Sequence, residues 1–465
     1  MLIKSWVGRQ TMLDGHGLDL SNIPDPSSVE ERSSRQANIG QLCGEDSLLI
    51  IVNNPEATRS ADVEYPYRAS SDMLYFVGWE RPDAVYCLAN TSGELNSILF
   101  IPPRDVLKET WTGIRLGLDG AEKQFPIDRA VSIDEMSTVL RTLLDGCTNV
   151  FHQRGLLTEV DDIVDKALLE TSRTRQRTGS GPANLCDPRP LVSELRLFKS
   201  ESELELMRHS CKIASAAHIK AMRNASAGMA EFQLQAIIEG CFVYNGSQWS
   251  YPSIVGGGDN ATILHYVEND SPISDGDLVL IDAGCEISGY ASDITRTWPI
   301  NGKFTKHQAI LYQLVLDSQI AAISACKPGE SFDAPHNAAK EVMAQGLLDL
   351  GIVEGPTLNE AMSPEQLGTY FMHRTSHWLG LDVHDVGVYA PDDEPRLLQQ
   401  GMVLTIEPGL YFGAWRTDIE IDEKWAGIGI RIEDDVLITI DGHEVLTQDC
   451  PKTILELEGI IGVSS

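Results

Sequence analysis

Four short apolar runs in the second half of the chain each carry an acid, and this constrains the fold more than any other feature. Leu278-Val-Leu-Ile-Asp282-Ala-Gly284 is an apolar strand closed by a carboxylate. Ala291-Ser-Asp293-Ile-Thr-Arg296 puts an acid in the strand that follows, with a turn at Ser288-Gly289 between the two. Gly401-Met-Val-Leu-Thr-Ile-Glu407-Pro-Gly409 is a third such strand, ended by Pro-Gly, and Gly429-Ile-Arg431-Ile-Glu433-Asp-Asp-Val436 is a fourth. A two-residue loop centred near Ile287 and Ser288 pairs Asp282 with Asp293 across a hairpin. The Cβ atoms of opposed residues stand about 4.5–5.5 Å apart. Like charges that close repel, and a cation between them resolves the conflict; the alternative is two strand-end carboxylates in water. Arg431 and Glu433 are two apart and so point to one face. Charge among Ile and Val is costly without compensation, so this strand holds either a salt bridge or a site.

Histidines concentrate in the same half. Three of the chain's 11, His373, His377 and His384, fall in one short stretch. Neutral imidazole is a common metal ligand and a ready proton shuttle; a structural role is the alternative. Four acids and one histidine make an oxygen-rich donor set with one nitrogen. Such a set suits Mn²⁺ or another hard-to-borderline divalent ion, and Co²⁺ or Zn²⁺ less distinctively. Two dications would balance four carboxylates, and metals about 3.5–4 Å apart can share a bridging hydroxide.

A chain of 465 residues suggests two or three domains at about 100–200 residues each. Residues 1–35, rich in Ser, Pro, Asp and Glu from residue 18, read as a loose leader. Residues 36–195 read as an α/β domain, with strands at Ser47–Val52, Ala84–Leu88 and Ser97–Ile101 and a helix at Met136–Leu144. The Gly- and Pro-punctuated stretch 175–192 reads as a linker. Residues 196–465 form the second domain. Ser200-Glu-Ser-Glu203 is a capping box opening a helix whose apolar face carries Leu204, Met207, Cys211, Ala214 and Met222. Another helix spans Met229–Phe242, and Thr305-Lys-His-Gln308 opens one that runs to about Cys326. Strand signals at 277–283, 290–299, 402–407 and 429–440 complete an α+β domain: helices outside a curved antiparallel sheet.

Thirty-six basic against 68 acidic residues leave a charge of −32. This excludes a nucleic-acid partner, whose phosphates demand a basic face, and argues against an anionic membrane surface. Nine cysteines without C-x-x-C spacing read as free thiols in a reducing compartment. No apolar run approaches the roughly 18 residues of a membrane span. The expected location is the cytoplasm. The acid-free first 13 residues leave a mitochondrial presequence as the alternative.

Several strings together resemble one family. They are Thr58-Arg-Ser-Ala-Asp62, Tyr65-Pro-Tyr-Arg68, Ile263-Leu-His265-Tyr266, Leu280-Ile-Asp-Ala-Gly-Cys285, Ser292-Asp-Ile-Thr-Arg-Thr297, Ser376-His-Trp-Leu-Gly-Leu-Asp-Val-His-Asp-Val-Gly387 and Ile430-Arg-Ile-Glu-Asp-Asp435. From about residue 36 the chain resembles the metal-dependent pita-bread peptidases, and among them aminopeptidase P (Xaa-Pro aminopeptidase). The resemblance implies a pita-bread catalytic domain behind an α/β N-terminal domain. It implies an aminopeptidase that releases the residue ahead of a proline through a hydroxide bridging two divalent metals. Asp282 would chelate one metal, Asp293 and Glu433 would bridge both, and His377 and Glu407 would complete the other. Glu407 would also be the general base. His265 and His384 would contact the substrate, and His373 would be a further active-site histidine. Tyr251 and Arg431 would hold the ligands. Trp111 would reach a neighbouring subunit's site in a homodimer or homotetramer. Two alternatives stay open: a prolidase that accepts only Xaa-Pro dipeptides, and a non-catalytic binding protein on the same scaffold.

Overall fold

The computed structural model describes residues 23–24 and 26–463. Most of the expected leader, and the presequence alternative with it, lies outside the described residues. From Val29 the chain is helical rather than loose. Ser28 caps the helix Val29–Cys43 by accepting the Glu31 N–H, and Glu30 and Glu31 favour its N-terminal end. The chain divides into two compact units, with the change between Arg196 and Leu197.

The first unit is built on strands β1 (Ser47–Val52), β2 (Thr58–Ser60), β3 (Val63–Glu64), β4 (Val85–Thr91), β5 (Glu94–Ile101), β6 (Arg129–Ser132), β7 (Asn149–His152) and β8 (Asn184–Cys186). Six of them form one mixed sheet in the order β6-β5-β4-β1-β7-β8. β1 lies inside it, antiparallel to β4 and parallel to β7, and every one of its residues is buried. A strand covered on both faces needs such an unbroken apolar run. One face packs Leu48, Ile50, Cys87 and Phe100 against Leu140, Leu144, Val160 and Val164 of the helices Met136–Asp145 and Thr158–Thr178. The stretch expected as a linker is ordered. It ends one helix, adds β8 parallel to β7, and opens the helix Arg189–Leu197. Gly and Pro here bound a short edge strand instead of a free connection.

The second unit holds β9 (Gln248–Trp249), β10 (Ile254–Gly257), β11 (Leu278–Asp282), β12 (Cys285–Ile287), β13 (Tyr290–Ala291), β14 (Thr295–Pro299), β15 (Val403–Ile406), β16 (Gly409–Phe412), β17 (Ile428–Arg431), β18 (Asp434–Ile438) and β19 (His443–Val445). All its pairings are antiparallel. Helices Glu201–Asn224, Glu231–Tyr244 and Lys306–Ala325 pack on these strands, and Ala334–Asp349 packs on the last of them. The expected capping boxes at Ser200/Glu203 and Thr305/Gln308 are both formed. Among the described residues no helix is long and apolar enough to cross a membrane.

The first hairpin differs from the expected register. Ile287 faces Tyr290 and Asp282 faces Thr295, so the turn residues are Ser288 and Gly289, both at positive φ (50° and 84°). A two-residue hairpin turn with positive φ at both central residues matches the right-handed twist of its strands. Asp293 is therefore diagonal to Asp282 rather than opposite. A slip of two residues preserves the face, whereas a slip of one reverses it.

Both hairpins are interrupted at the acids. The first ladder stops after Asp282 and resumes at Cys285, with Asp293 in the gap on the returning chain. The second pairs β15 with β18 and β16 with β17, leaving Glu407 and Glu433 in the gaps on its two sides. At the first gap the chains nearly touch: a Cβ on Gly284 would stand 1.8 Å from the Ser292 carbonyl oxygen. The hairpins join there, Glu433 N–H donating to Thr295 O at 3.0 Å and Thr297 Oγ1 to Arg431 O at 3.0 Å.

Candidate metal centre

The four gap carboxylates meet His377 in one place. Donor atoms of Asp293, His377 and Glu433 all lie within 4.8 Å of one another. His377 Nε2 stands 3.5 Å from Asp293 Oδ2 and 3.8 Å from Glu407 Oε1. Its Nδ1 faces the Trp378 carbonyl at 2.9 Å. A carbonyl only accepts, so Nδ1 carries a proton, and Nε2 is the ring nitrogen that points to the acids and is left for a cation. The backbone is fixed as well: His377 exchanges hydrogen bonds with Thr405, and Glu407 N–H donates to Thr375 O at 2.8 Å.

Tyr251 links the remaining acid. Its hydroxyl lies 2.5 Å from Asp282 Oδ1 and also contacts Asp293 Oδ1. A phenol has one proton and can donate to only one of the two. Arg431 supplies the only guanidinium or ammonium contact to this acid cluster among the described residues. Nη2 donates to Asp282 Oδ2 at 2.7 Å, Nη1 to Tyr411 Oη at 2.9 Å and Nε to Thr295 Oγ1 at 3.0 Å. Thr295 Oγ1 passes its own proton to Glu433 Oε2 at 2.6 Å. Arg431 thus reaches Glu433 through a threonine and pairs directly with Asp282.

One guanidinium does not neutralise four acids, of which Asp293 and Glu433 are buried and Asp282 and Glu407 partly so. Burial lifts Glu407 to about 7, against the pull of His377 and Arg431. Burial, with Asp293 adding to it, drives Glu433 well above the usual carboxylate range, and burial with Asp282 raises Asp293. Burial also lifts Asp282, but Arg431 and Tyr251 outweigh it and hold that carboxyl low. Burial would lower His377, yet the Asp293 and Glu407 carboxylates raise it to about 9. Such a cluster takes up protons unless cations replace them, which is the behaviour of a metal site. Oxygen donors, one free imidazole nitrogen and surplus negative charge fit divalent ions.

The other expected residues divide. The His384 ring lies against His377 at a tilt of 60°, centroids 4.2 Å apart, and burial followed by His377 and His265 lowers its pKa. His373 donates from Nδ1 to Arg374 O at 2.7 Å and accepts at Nε2 from Tyr411 Oη at 2.8 Å. Burial first, then Arg431, lowers it to about 4. His265 is exposed and close enough to act on both rings. Trp111 belongs to the first unit, on the helix Val106–Thr112, with 88 % of its surface exposed.

Three residues of the site were not expected. Tyr411 couples His373 to Arg431, and nothing in Gly409–Phe412 marks it as more than strand. Thr295 carries the bond between Arg431 and Glu433. Asp435 accepts the Asp293 N–H at 2.9 Å and the Cys211 S–H at 3.3 Å. Its signal was available, because consecutive acids inside an apolar strand cannot all face solvent. Asp434 instead pairs with Arg296 at 2.7 Å and Lys452 at 2.5 Å.

Comparison with known proteins agrees with this geometry. Residues 205–440 match the model of metallopeptidase family M24, and residues 32–151 match the aminopeptidase P N-terminal domain. The Xaa-Pro aminopeptidase of Escherichia coli K12 is 44% identical over 437 residues, covering 94% of this chain and 98% of that protein. Human Xaa-Pro aminopeptidase 3 is 36% identical over 431 residues, covering 91% and 82%. The structure of E. coli aminopeptidase P with the inhibitor Pro-Leu matches with a TM-score of 0.89 at 43% identity, covering 94% of this chain and 98% of that one. The chain is a hydrolase of metallopeptidase family M24, and it belongs to the aminopeptidase P branch of that family.

Proposed function

We propose that this enzyme releases the N-terminal residue from peptides whose second residue is proline. The observation that carries this reading is the meeting of Asp293, His377 and Glu433 donor atoms within 4.8 Å, with Asp282 and Glu407 alongside. In our reading Asp282, Asp293, His377, Glu407 and Glu433 would hold two divalent ions, Asp282 serving one, His377 and Glu407 the other, and Asp293 and Glu433 both. Bound divalent ions would lower the pKa of water and polarise the scissile carbonyl.

The chain's own groups do the rest. Glu407, anchored through its backbone to Thr375, is the base that takes the water's proton. Tyr251, Arg431 and Thr295 keep the carboxylates in orientation. Proline makes the scissile bond a tertiary amide without an N–H to recognise. Recognition therefore falls to shape, to the free α-amine, and to His265 and His384, whose N–H groups steady the developing oxyanion. His373 orders Tyr411 and with it Arg431.

The oxygen-rich donor set favours Mn²⁺ over Co²⁺ or Zn²⁺. Nine free cysteines, among which no disulfide is formed, suit the cytoplasm. Exposed Val106, Leu107, Trp111 and Ile114 suit a homo-oligomer in which Trp111 meets a neighbour's site. We take residues 36–195 as the N-terminal domain and 196–465 as the catalytic one. Turnover of Xaa-Pro peptides of increasing length, after chelation and metal add-back, tests the reading. Cleavage of a tripeptide with proline second is expected, and cleavage of dipeptides alone would overturn it in favour of a prolidase.

A further inference from the structure

His265 sits on a segment with almost no regular structure. After β10 and a short turn at Gly258–Thr262, the chain runs irregularly to β11. Irregular backbone is a poor platform for a side chain that must meet a substrate atom. Something other than a strand ladder must hold it.

Glu231 does. It is the first residue of the helix Glu231–Tyr244 and has no exposed surface. Its carboxylate accepts four hydrogen bonds, all from the His265 segment. Oε1 takes the Gly257 N–H at 2.7 Å and Asn260 Nδ2 at 3.0 Å. Oε2 takes the Tyr266 hydroxyl and the Ser271 N–H, each at 2.9 Å. These donors bracket His265: two lie before it, one is its immediate neighbour and one lies beyond. Among the described residues Glu231 makes no ion pair, so the four donors alone compensate its buried charge. A carboxylate offers about four lone-pair sites, and here each is used. Asn269 fastens the same segment from within, accepting the Val255 N–H at 2.9 Å and donating to Ser253 O at 2.8 Å.

We propose that Glu231 is a positioning residue for the aminopeptidase reaction, fixing the 257–271 segment so that His265 is presented to the substrate. The inference rests on the reading of His265 as a substrate contact. Glu231→Gln keeps the shape but turns one acceptor into an NH₂ group that confronts two of the four donors.

A double-mutant cycle on the metal-loaded enzyme, read as kcat/KM on a tripeptide with proline second, decides it. Glu231→Gln is expected to cost about 10–100-fold with metal content unchanged, as for other residues that orient functional groups. In a His265→Ala background the same change should cost less than about threefold, because coupled residues do not add. In a His384→Ala background it should keep its full cost. An equal loss in the wild-type and His265→Ala backgrounds, or wild-type turnover by Glu231→Gln, would overturn the proposal. Wild-type turnover by His265→Ala alone would overturn the reading of that histidine, and the proposal with it. Should Glu231→Gln fail to fold, Tyr266→Phe removes one donor, leaves the carboxylate in place, and enters the same cycle.

Discussion

Replacing Thr295 with valine keeps the side chain's shape and removes one hydroxyl. That hydroxyl accepts from Arg431 Nε at 3.0 Å and donates to Glu433 Oε2 at 2.6 Å, and Thr295 has no exposed surface. Arg431 is charged, burial and the neighbouring acids disfavour the charged form of Glu433, and water has no route to replace the bonds. A hydrogen bond to a charged group contributes about 1.5–3 kcal/mol and one to a neutral group about 0.5–1.5 kcal/mol, so the loss of both destabilises the metal-free fold by about 2–4.5 kcal/mol. With about 2–4 °C per kcal/mol for a domain of this size, the unfolding midpoint falls by roughly 4–18 °C. Glu433 also loses the donor that orients it toward the site, and metal affinity should drop about 10–100-fold. At saturating metal concentrations that adds about 1.4–2.7 kcal/mol to the gap between variant and wild type. Calorimetric titration with Mn²⁺ and unfolding with and without metal measure the two effects separately. Wild-type affinity in Thr295→Val would refute the relay from Arg431 through Thr295 to Glu433, whatever happened to stability.

Other perturbations reach neighbouring parts. Asp293→Ala should abolish turnover and bound metal together, measured by metal analysis beside a peptide assay; an active variant would refute the site. His384→Ala should slow turnover while metal stays bound, and loss of metal would mean that this imidazole is a ligand. His218 is buried with Nε2 at 3.0 Å from Ala283 O, and burial, partly offset by that carbonyl, lowers it to about 4 from 6.5. The unfolded chain therefore takes a proton below pH 6.5 that the folded chain refuses until about pH 4. Stability should fall through that window, by about 2 kcal/mol at pH 5. His218→Gln should flatten this part of the denaturant-measured profile, and parallel profiles would contradict the assignment.

What was legible in the sequence follows from the range of the forces involved. β1, β4 and β5 stood out because a strand buried on both faces must be apolar throughout. The helices after Ser200 and Thr305 stood out because a capping box is a local exchange of two bonds. Asp282, Asp293, Glu407 and Glu433 stood out because acids are rare at the ends of apolar strands, and their gathering with His377 was what the family resemblance implied. The register of the first hairpin was not. It depends on Ser288 taking positive φ, which a non-glycine residue does not advertise. β8 was hidden for a related reason, since the Gly and Pro that frame an edge strand also mark linkers. Tyr411 and Thr295 escaped notice because their roles exist only where separate strands meet.

The breaks in the two hairpins explain why these acids, and not others nearby, gather at one point. In a continuous ladder a residue's backbone is committed to its cross-strand partner and its side chain to one face of the sheet. Asp293, Glu407 and Glu433 all lie where pairing lapses, and Asp282 is the last residue before a lapse. Their backbones are held by unusual partners instead: Asp293 by the Asp435 carboxylate, Glu407 by Thr375 O and Glu433 by Thr295 O. Each substitute bond comes from a segment other than the residue's own hairpin partner. The three consecutive acids 433–435 thereby serve different ends. Glu433 faces the site, Asp434 is neutralised by Arg296 and Lys452, and Asp435 secures Asp293. Alternation along the strand separates them: Glu433 and Asp435 meet Thr295 and Asp293 on one side, and Asp434 meets Arg296 and Lys452 on the other. The interruption at Ile432–Glu433 leaves the Glu433 N–H free of its own hairpin and gives it to Thr295 O, which ties the two hairpins together beside the acid cluster.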